Sequence, residues 1–170
     1  MTDTLKTLGY PSLDELKSTP GYPGEDIQKK GPVAIIECIE EIPCNPCETS
    51  CPAGAIKVGD PITNLPRLIA NKCRGCGRCV AACPGLAIYI KDYTYSAEKA
   101  LITFPYEYFP LPQKGDRVIA VNRRGKPVCE GEIMEVKLLG SYNKTPLVSM
   151  AYPREFFEEV VSIKRLEGEG

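Results

Sequence analysis

Residues 73–84 read Cys73-Arg74-Gly75-Cys76-Gly77-Arg78-Cys79-Val80-Ala81-Ala82-Cys83-Pro84, which is the spacing C-x2-C-x2-C-x3-C-P without deviation. The same frame occurs 32 residues earlier, where Cys44, Cys47, Cys51 and Pro52 stand as Cys76, Cys79, Cys83 and Pro84 do later. The exits from the two copies also agree, Ala55-Ile56 matching Ala87-Ile88. An internal repeat of this kind implies two copies of one loop-helix-strand unit facing each other about a pseudo-two-fold axis, each copy completing its neighbour's site. Eight of the nine cysteines lie between Cys38 and Cys83, so this stretch organises the rest of the chain.

Thiolates are soft ligands suited to iron-sulfur chemistry, and short spacers let one loop wrap several corners of a cube. The later run has the four-iron spacing in which the fourth cysteine serves the other cluster of a two-cluster protein. Gly75, Gly77 and Gly85 suit close approach of the backbone to a bulky inorganic group. The proline after each fourth cysteine has a fixed φ and no N–H, which suits a helix start. Three other uses of cysteine fit less well. Structural zinc wants well-separated pairs or added histidines, and the chain has no histidine. Disulfides need an oxidising compartment, and the N-terminus has no apolar run of the secretory kind. A plant-type [2Fe-2S] spacing is one residue from Cys38, Cys44 and Cys47, but the repeat explains Cys51 and Cys83 together where that spacing does not.

Residues 31–92 therefore resemble a bacterial-type two-[4Fe-4S] (dicluster) ferredoxin domain. The resemblance implies that Cys51, Cys73, Cys76 and Cys79 hold one cluster, and that Cys44, Cys47 and Cys83 hold three corners of the other. One departure stands out, because the repeat requires a cysteine at position 41 and the chain has Glu41. Cys38 is the nearby candidate, reached if the loop Ile39-Glu40-Glu41-Ile42-Pro43 bulges. The alternative is a three-thiolate centre, either [3Fe-4S] or [4Fe-4S] with a non-cysteine ligand.

Composition bounds the remainder. With 170 residues the chain can form one medium domain or two small ones. Its 21 basic and 22 acidic residues leave no nucleic-acid footprint. No apolar run approaches the roughly 20 residues that cross a bilayer, so the expectation is a cytoplasmic protein with no membrane span. The 15 glycines and 16 prolines favour short elements joined by turns. Clusters in such a chain contribute to folding as well as function.

The expected fold class is α+β: an extended N-terminal arm (1–30), a dicluster ferredoxin domain with an aromatic β extension (31–110), and a small SH3-like β domain (111–170). The arm carries one capping-box signature, Ser12-Leu13-Asp14-Glu15, predicting a short helix over 13–18. Its apolar residues, among them Leu13, Leu16, Tyr22 and Ile27, suit either a frayed terminus or draping across a partner subunit. Strands are predicted at 33–37, 55–58, 67–70 and 86–90, the middle two flanking a hairpin turn at 59–64. Lys72, Arg74 and Arg78 crowd the second site, either as a solvated rim or as charges that favour the reduced cluster or dock an acidic partner. Seven aromatic residues between 89 and 109 predict an extra β-layer through 100–104 and 106–109. Pro110-Leu111-Pro112 marks a boundary. Beyond it, strands at 117–122, 128–138, 147–151 and 160–165, with one helical turn at 154–159, have the pattern of a small barrel. Cys129 reads as a lone small apolar residue in a strand, and Arg123, Arg124 and Lys126 as a solvated hairpin tip.

Electron transfer is the function class this spacing supports. The chain has no histidine, no glycine-rich nucleotide motif and no paired carboxylates beside a nucleophile, so any reacting centre belongs to another chain. The added modules, with the phrase Ile42-Pro43-Cys44-Asn45-Pro46-Cys47-Glu48-Thr49-Ser50-Cys51-Pro52, resemble the small iron-sulfur subunit of a multi-subunit flavin-dependent dehydrogenase. The resemblance implies flavoprotein dehydrogenase subunits as partners, of the type acting on amino acids or glycerol 3-phosphate. A free ferredoxin-like carrier, or an assembly or binding protein with structural clusters, are the competing readings.

Overall fold

A computed structural model describes residues 4–142 and 144–168. The arm forms three short helices, α1 (Thr4–Leu8), α2 (Leu13–Lys17) and α3 (Glu25–Gln28). The cysteine-rich region contains strand β1 (Val33–Ile36), helix α4 (Pro46–Thr49), the hairpin β2 (Ile56–Lys57) and β3 (Arg67–Leu68), helix α5 (Arg78–Ala82) and strand β4 (Ile88–Asp92). Strands β5 (Lys99–Pro105), β6 (Arg117–Val121), β7 (Pro127–Lys137), β8 (Leu147–Pro153) and β9 (Ser162–Ile163) complete the fold. The Ser12 hydroxyl accepts the Glu15 N–H while the Glu15 carboxylate accepts the Ser12 N–H, the reciprocal cap that starts α2. Glu15 also accepts from the backbone and hydroxyl of Thr4, so one carboxylate ties α1 to α2.

All four residues of β1 are buried, which an antiparallel edge strand achieves only if both of its faces are covered. Ala34 and Ile36 face the core that contains Cys47, Cys79, Val80 and Ile88. Val33 and Ile35 face the opposite way, onto Leu16 and Tyr22 of the arm. The arm is thus packed on its own chain. Leu16 is fully buried, and Leu13 and Ile27 pack around it, so neither fraying nor a partner subunit is needed to explain these side chains. The arm crosses β1 closely at Gly21, where a Cβ would stand 2.7 Å from the Pro66 carbonyl oxygen and 2.9 Å from Ile36 Cβ.

One antiparallel sheet carries the molecule, with strand order β1-β4-β5-β8-β7-β6-β9. The β1–β4 pair belongs to the cysteine-rich region, and β5 joins it through Ile90 opposite Thr103. β5 then pairs along its whole length with β8, Lys99 opposite Pro153 through Pro105 opposite Leu147. The sheet therefore runs across position 111, and Pro110–Pro112 is a connection outside the strands. The later strands fall close to their predicted places, and β9 lies beside β6. That return of the last strand to the first is the pattern expected of a small barrel, but β8 continues into β5 and the sheet stays open, with β1 and β9 at its edges. Residues 106–109 form no strand. Tyr106 is buried, whereas Tyr108 and Phe109 are exposed.

Besides the contact of the arm with β1, two packed cores lie against this sheet. One surrounds the cysteines. The other is built from Ile102, Phe104, Ile133, Val148, Met150 and Tyr152 with Phe157, Val160 and Ile163. Half-buried Cys129 sits against this second core, away from the other eight cysteines.

Candidate metal centre

Helices α4 and α5 are the equivalent helices of the repeat, and each offers one buried cysteine, Cys47 and Cys79, to the space under the sheet. Pro46 opens α4, and Gly77 caps α5 with φ +80°, a left-handed conformation that glycine adopts without strain. The loop before α5 also turns at Gly75, where φ is +63° and a Cβ would meet Pro32 Cβ at 2.7 Å. Both glycines let the cysteine loop fold tightly under β1.

The structure gathers the eight cysteines into two groups of four. Cys51, Cys73, Cys76 and Cys79 line one cavity of about 180 Å³, floored by Ala34, Ala55, Ile56 and Ile90. Cys38, Cys44, Cys47 and Cys83 line a second, of about 30 Å³, together with Glu40, Ile42, Asn64, Pro66, Pro84 and Ile88. Each cavity takes three cysteines from one part of the chain and one from the other copy of the repeat. Glu41 is exposed and does not line the second cavity, whereas Cys38 does. The loop 37–45 has no regular secondary structure and turns through an Ile42 N–H to Glu40 carbonyl hydrogen bond of 3.0 Å, which lets Cys38 reach in from the end of β1.

Backbone N–H groups point at the sulfurs. Ala55 N–H donates to Cys51 Sγ at 3.2 Å and Ala87 N–H to Cys83 Sγ at 3.4 Å, the same bond in both copies. Ala34 N–H donates to Cys73 Sγ at 3.4 Å. Burial pushes the Cys47 thiol up to about 11, with the neighbouring Cys83 sulfur adding to the effect. Burial, then the neighbouring Cys73, raises Cys79 as well, and burial raises Cys38. Four sulfurs around one apolar cavity cannot all ionise without a cation to hold the charge, and bound metal supplies that charge. Among the described residues no three Cys, Asp, Glu or His side chains converge on a single-ion position. An all-thiol donor set spread around a cavity fits a multinuclear iron-sulfur group better than zinc.

Charges around the two mouths differ. Arg74 and Cys76 line the first cavity and are exposed, with Lys72 and Arg78 exposed next to its cysteines in sequence, and Glu40 lines the second and is exposed. Glu48, between Cys47 and Cys51, is pinned from outside the cavity. Its carboxylate accepts from the Val58 and Gly59 N–H groups at 2.8 and 3.0 Å and from Lys57 Nζ at 3.2 Å. These bonds, the Gly59 N–H foremost, hold the carboxyl at about 2.

One contributor has no signal in the local pattern. Arg123 is not a solvated hairpin tip. It forms a bidentate ion pair with Glu37, the residue before Cys38, with side chains 12% and 6% exposed, and it also donates to the Glu158 carbonyl at 2.9 Å. Glu37 N–H is bonded to the Ala87 carbonyl at 2.8 Å. The turn between β6 and β7 thus braces the strand end from which Cys38 enters the site. Nothing near Arg123 or Glu37 in sequence links two positions so far apart. Arg124, its neighbour, stacks on Tyr10 of the arm at 5.2 Å from the ring centre.

The site defines a ferredoxin-like iron-sulfur domain, and comparison with known proteins agrees. Residues 38–94 match the family described as the LdpA Fe-S cluster-binding domain. The chain is similar to a subunit of the ion-translocating oxidoreductase complex of Methanosarcina acetivorans, 44% identical over 68 residues, covering 40% of this chain and 22% of that protein. It is also similar to the ferredoxin-type protein NapF of Haemophilus influenzae, 32% identical over 81 residues, covering 42% of this chain and 43% of that protein. The chain thus spans less than half the length of each of these relatives. No solved structure matches. No helix among the described residues is long and apolar enough to cross a membrane.

Proposed function

We propose that Cys38, Cys44, Cys47 and Cys83 hold one [4Fe-4S] cluster, that Cys51, Cys73, Cys76 and Cys79 hold a second, and that the chain relays electrons within an oxidoreductase complex. The carrying observation is the partition of eight cysteines into two cavities of four, each borrowing one cysteine across the repeat. Each cluster, when bound, takes up and releases one electron at a time. The chain's own contribution is to fix eight sulfurs, direct backbone N–H groups at three of them, and keep Cys47 and Cys79 out of water. An extended sheet and a packed arm beyond the cluster region suit a subunit that is held in a complex. The name of the Methanosarcina relative, which describes a component of a complex, supports the same reading. The partners we propose are flavoprotein subunits of a dehydrogenase of the amino-acid or glycerol 3-phosphate type, between whose flavins, or toward an external acceptor, the clusters pass single electrons.

Anaerobic purification from the native host tests this directly, with iron, acid-labile sulfide and electron paramagnetic resonance measured before and after dithionite. The expected result is about eight irons per chain, coupled signals in the reduced protein and a co-purifying flavoprotein. About four irons, or a [3Fe-4S] signal in the oxidised protein, overturns the assignment of Cys38. A chain that runs as a monomer in native extract overturns the complex and leaves a free carrier.

A further inference from the structure

Beside the larger cavity lies a shallow surface hollow of about 360 Å³, lined by Ile27, Pro32, Val33, Ala70, Cys73 and Arg74, with Lys30 and Asn71 also at its wall. Cys73 and Arg74 line both this hollow and the cavity that contains Cys51, Cys76 and Cys79. One cysteine therefore separates the hollow from the cluster position. The floor is largely apolar and the rim is cationic, since Lys30 and Arg74 line it and are exposed, and exposed Lys72 lies between the lining residues Asn71 and Cys73. Among the described residues none of these three cations is placed in an ion pair, so their charge is available to a partner. The nearest acids in sequence are on α3, where Glu25 is occupied by Lys29 at 3.6 Å and Asp26 is exposed. At the other cavity the exposed charged residue in the lining, Glu40, is negative. The total charge is only −1, so this is a separation of charge within one small domain and not a property of the whole chain.

We infer that the face bearing Lys30, Lys72 and Arg74 is the docking surface for an acidic electron-carrier protein, seated over the hollow beside Cys73. The inference rests on the proposed electron-relay function and adds to it which end of the relay meets a diffusing partner. Free cations around an apolar depression suit a partner whose carboxylates ring a small protruding surface, since complementary potentials steer encounter and fix orientation. Cys73 lines both the cavity and the hollow, so an electron leaving the cluster through Cys73 reaches this face without crossing another residue. The reduced chain loses one electron and the oxidised carrier gains it. Three cations around one hollow fall short of the extended basic stripe that tracks a nucleic-acid backbone, and the acidic residues elsewhere oppose one.

The test uses the full iron-loaded chain and an acidic flavodoxin as the probe, with affinity measured by calorimetry at low and high ionic strength. Wild-type protein is expected to bind, and to bind more weakly as salt rises. Lys30→Glu with Arg74→Glu is expected to lower affinity about ten-fold, and Glu41→Lys to leave it unchanged. Lys30 lies outside every cysteine loop, so Lys30→Glu alone keeps the test valid if Arg74→Glu costs iron. Iron and sulfide are measured on the same samples. A chain with full cluster content and no salt-dependent binding, or with equal affinity in Lys30→Glu, overturns the docking surface while sparing the relay. Tighter binding to duplex DNA than to flavodoxin overturns it in favour of a phosphate-backbone site. Absence of clusters overturns the relay itself.

Discussion

At position 41 a carboxylate stands where the repeat requires a thiol, and Cys38, three residues earlier, lines the second cavity and is the ligand we propose in its place. Replacing Cys38 by Ala should therefore cost or convert one cluster and spare the other, with iron falling from about eight per chain toward four. Iron content and an electron paramagnetic resonance spectrum identical to wild type would remove Cys38 from the ligand set. Cys38 is in turn held in place by the Arg123–Glu37 pair. Glu37→Gln leaves a buried guanidinium without its counter-charge, so unfolding free energy should drop by about 3 kcal/mol. Denaturant unfolding of the loaded protein measures it, and a loss below about 0.5 kcal/mol would mean the pair is solvated in solution. A buried amine lies nearby. Lys91 is almost fully enclosed, donates to the Phe157 carbonyl at 2.7 Å and lies 5.3 Å from the Phe157 ring centre. Burial, and then the positive charge of Arg123, lower its pKa from 10.5 to about 7, against the pull of Glu37 and Glu158. The folded pKa is below the unfolded one, so between pH about 7 and about 10 the unfolded chain binds a proton that the folded chain does not. Stability attributable to this group should then rise with pH across that window, and stay low below it. The difference in denaturation midpoint between wild type and Lys91→Met, followed from pH about 7 to about 10, should grow in wild type's favour. A difference that is flat with pH would show that Lys91 titrates normally.

Among the elements, the arm is the one whose role depends most on a single residue. Gly21 allows α2 and the segment after it to lie on the outer face of β1, and a methyl group there would strike the Pro66 carbonyl, which cannot swing aside as a side chain could. Gly21→Ala should cost about 1–3 kcal/mol and raise the exposure of Tyr22 and Leu16. Faster amide exchange in 13–28 with little change in 117–163 is the expected signature, and uniform exchange would show that the arm is not a separate packing unit. The contrast between arm and cysteine loops explains what can be read from sequence. Cysteine spacing, the capping box of Ser12 and Glu15, and the alternating strands are local signals, and the elements they predict lie within a few residues of those observed. The arm's sequence is equally consistent with fraying or with a partner, because its apolar residues do not say which surface they cover. β1 carries the missing half of that information: Val33, Ala34, Ile35 and Ile36 are apolar without alternation, the mark of a strand covered on both faces. The pairing of β5 with β8, more than 40 residues apart, and of Arg123 with Glu37, 86 apart, are long-range choices with no local signature.

For the molecule as a whole, the arrangement of cores indicates how holding iron and holding shape are divided. The core around Ile102, Phe104, Ile133, Met150 and Tyr152 contains no cysteine of the two cavities, and its strands β5, β8, β7 and β6 pair continuously. The core around Ala34, Ile36, Val80 and Ile88 is interleaved with Cys47 and Cys79, and the helices that present them, α4 and α5, are 4 and 5 residues long. Helices that short have little intrinsic stability, and packing against a bound group must supply what propensity does not. Thiols left without metal there are buried polar groups without their intended partners, which costs the apo state further. Removal of iron by a chelator under anaerobic conditions should therefore unfold the chain unevenly. Amides in 38–83 should lose protection by several orders of magnitude, whereas those of Phe104, Ile133 and Met150 should keep most of theirs. The strands β1 and β4 connect the two cores through β5, so their protection decides how the two cores are coupled. If they remain protected with β5, the sheet acts as a scaffold onto which the cysteine loops fold only when metal binds. If the whole chain loses protection in one step, the cluster region nucleates the sheet and the two cores form a single cooperative unit.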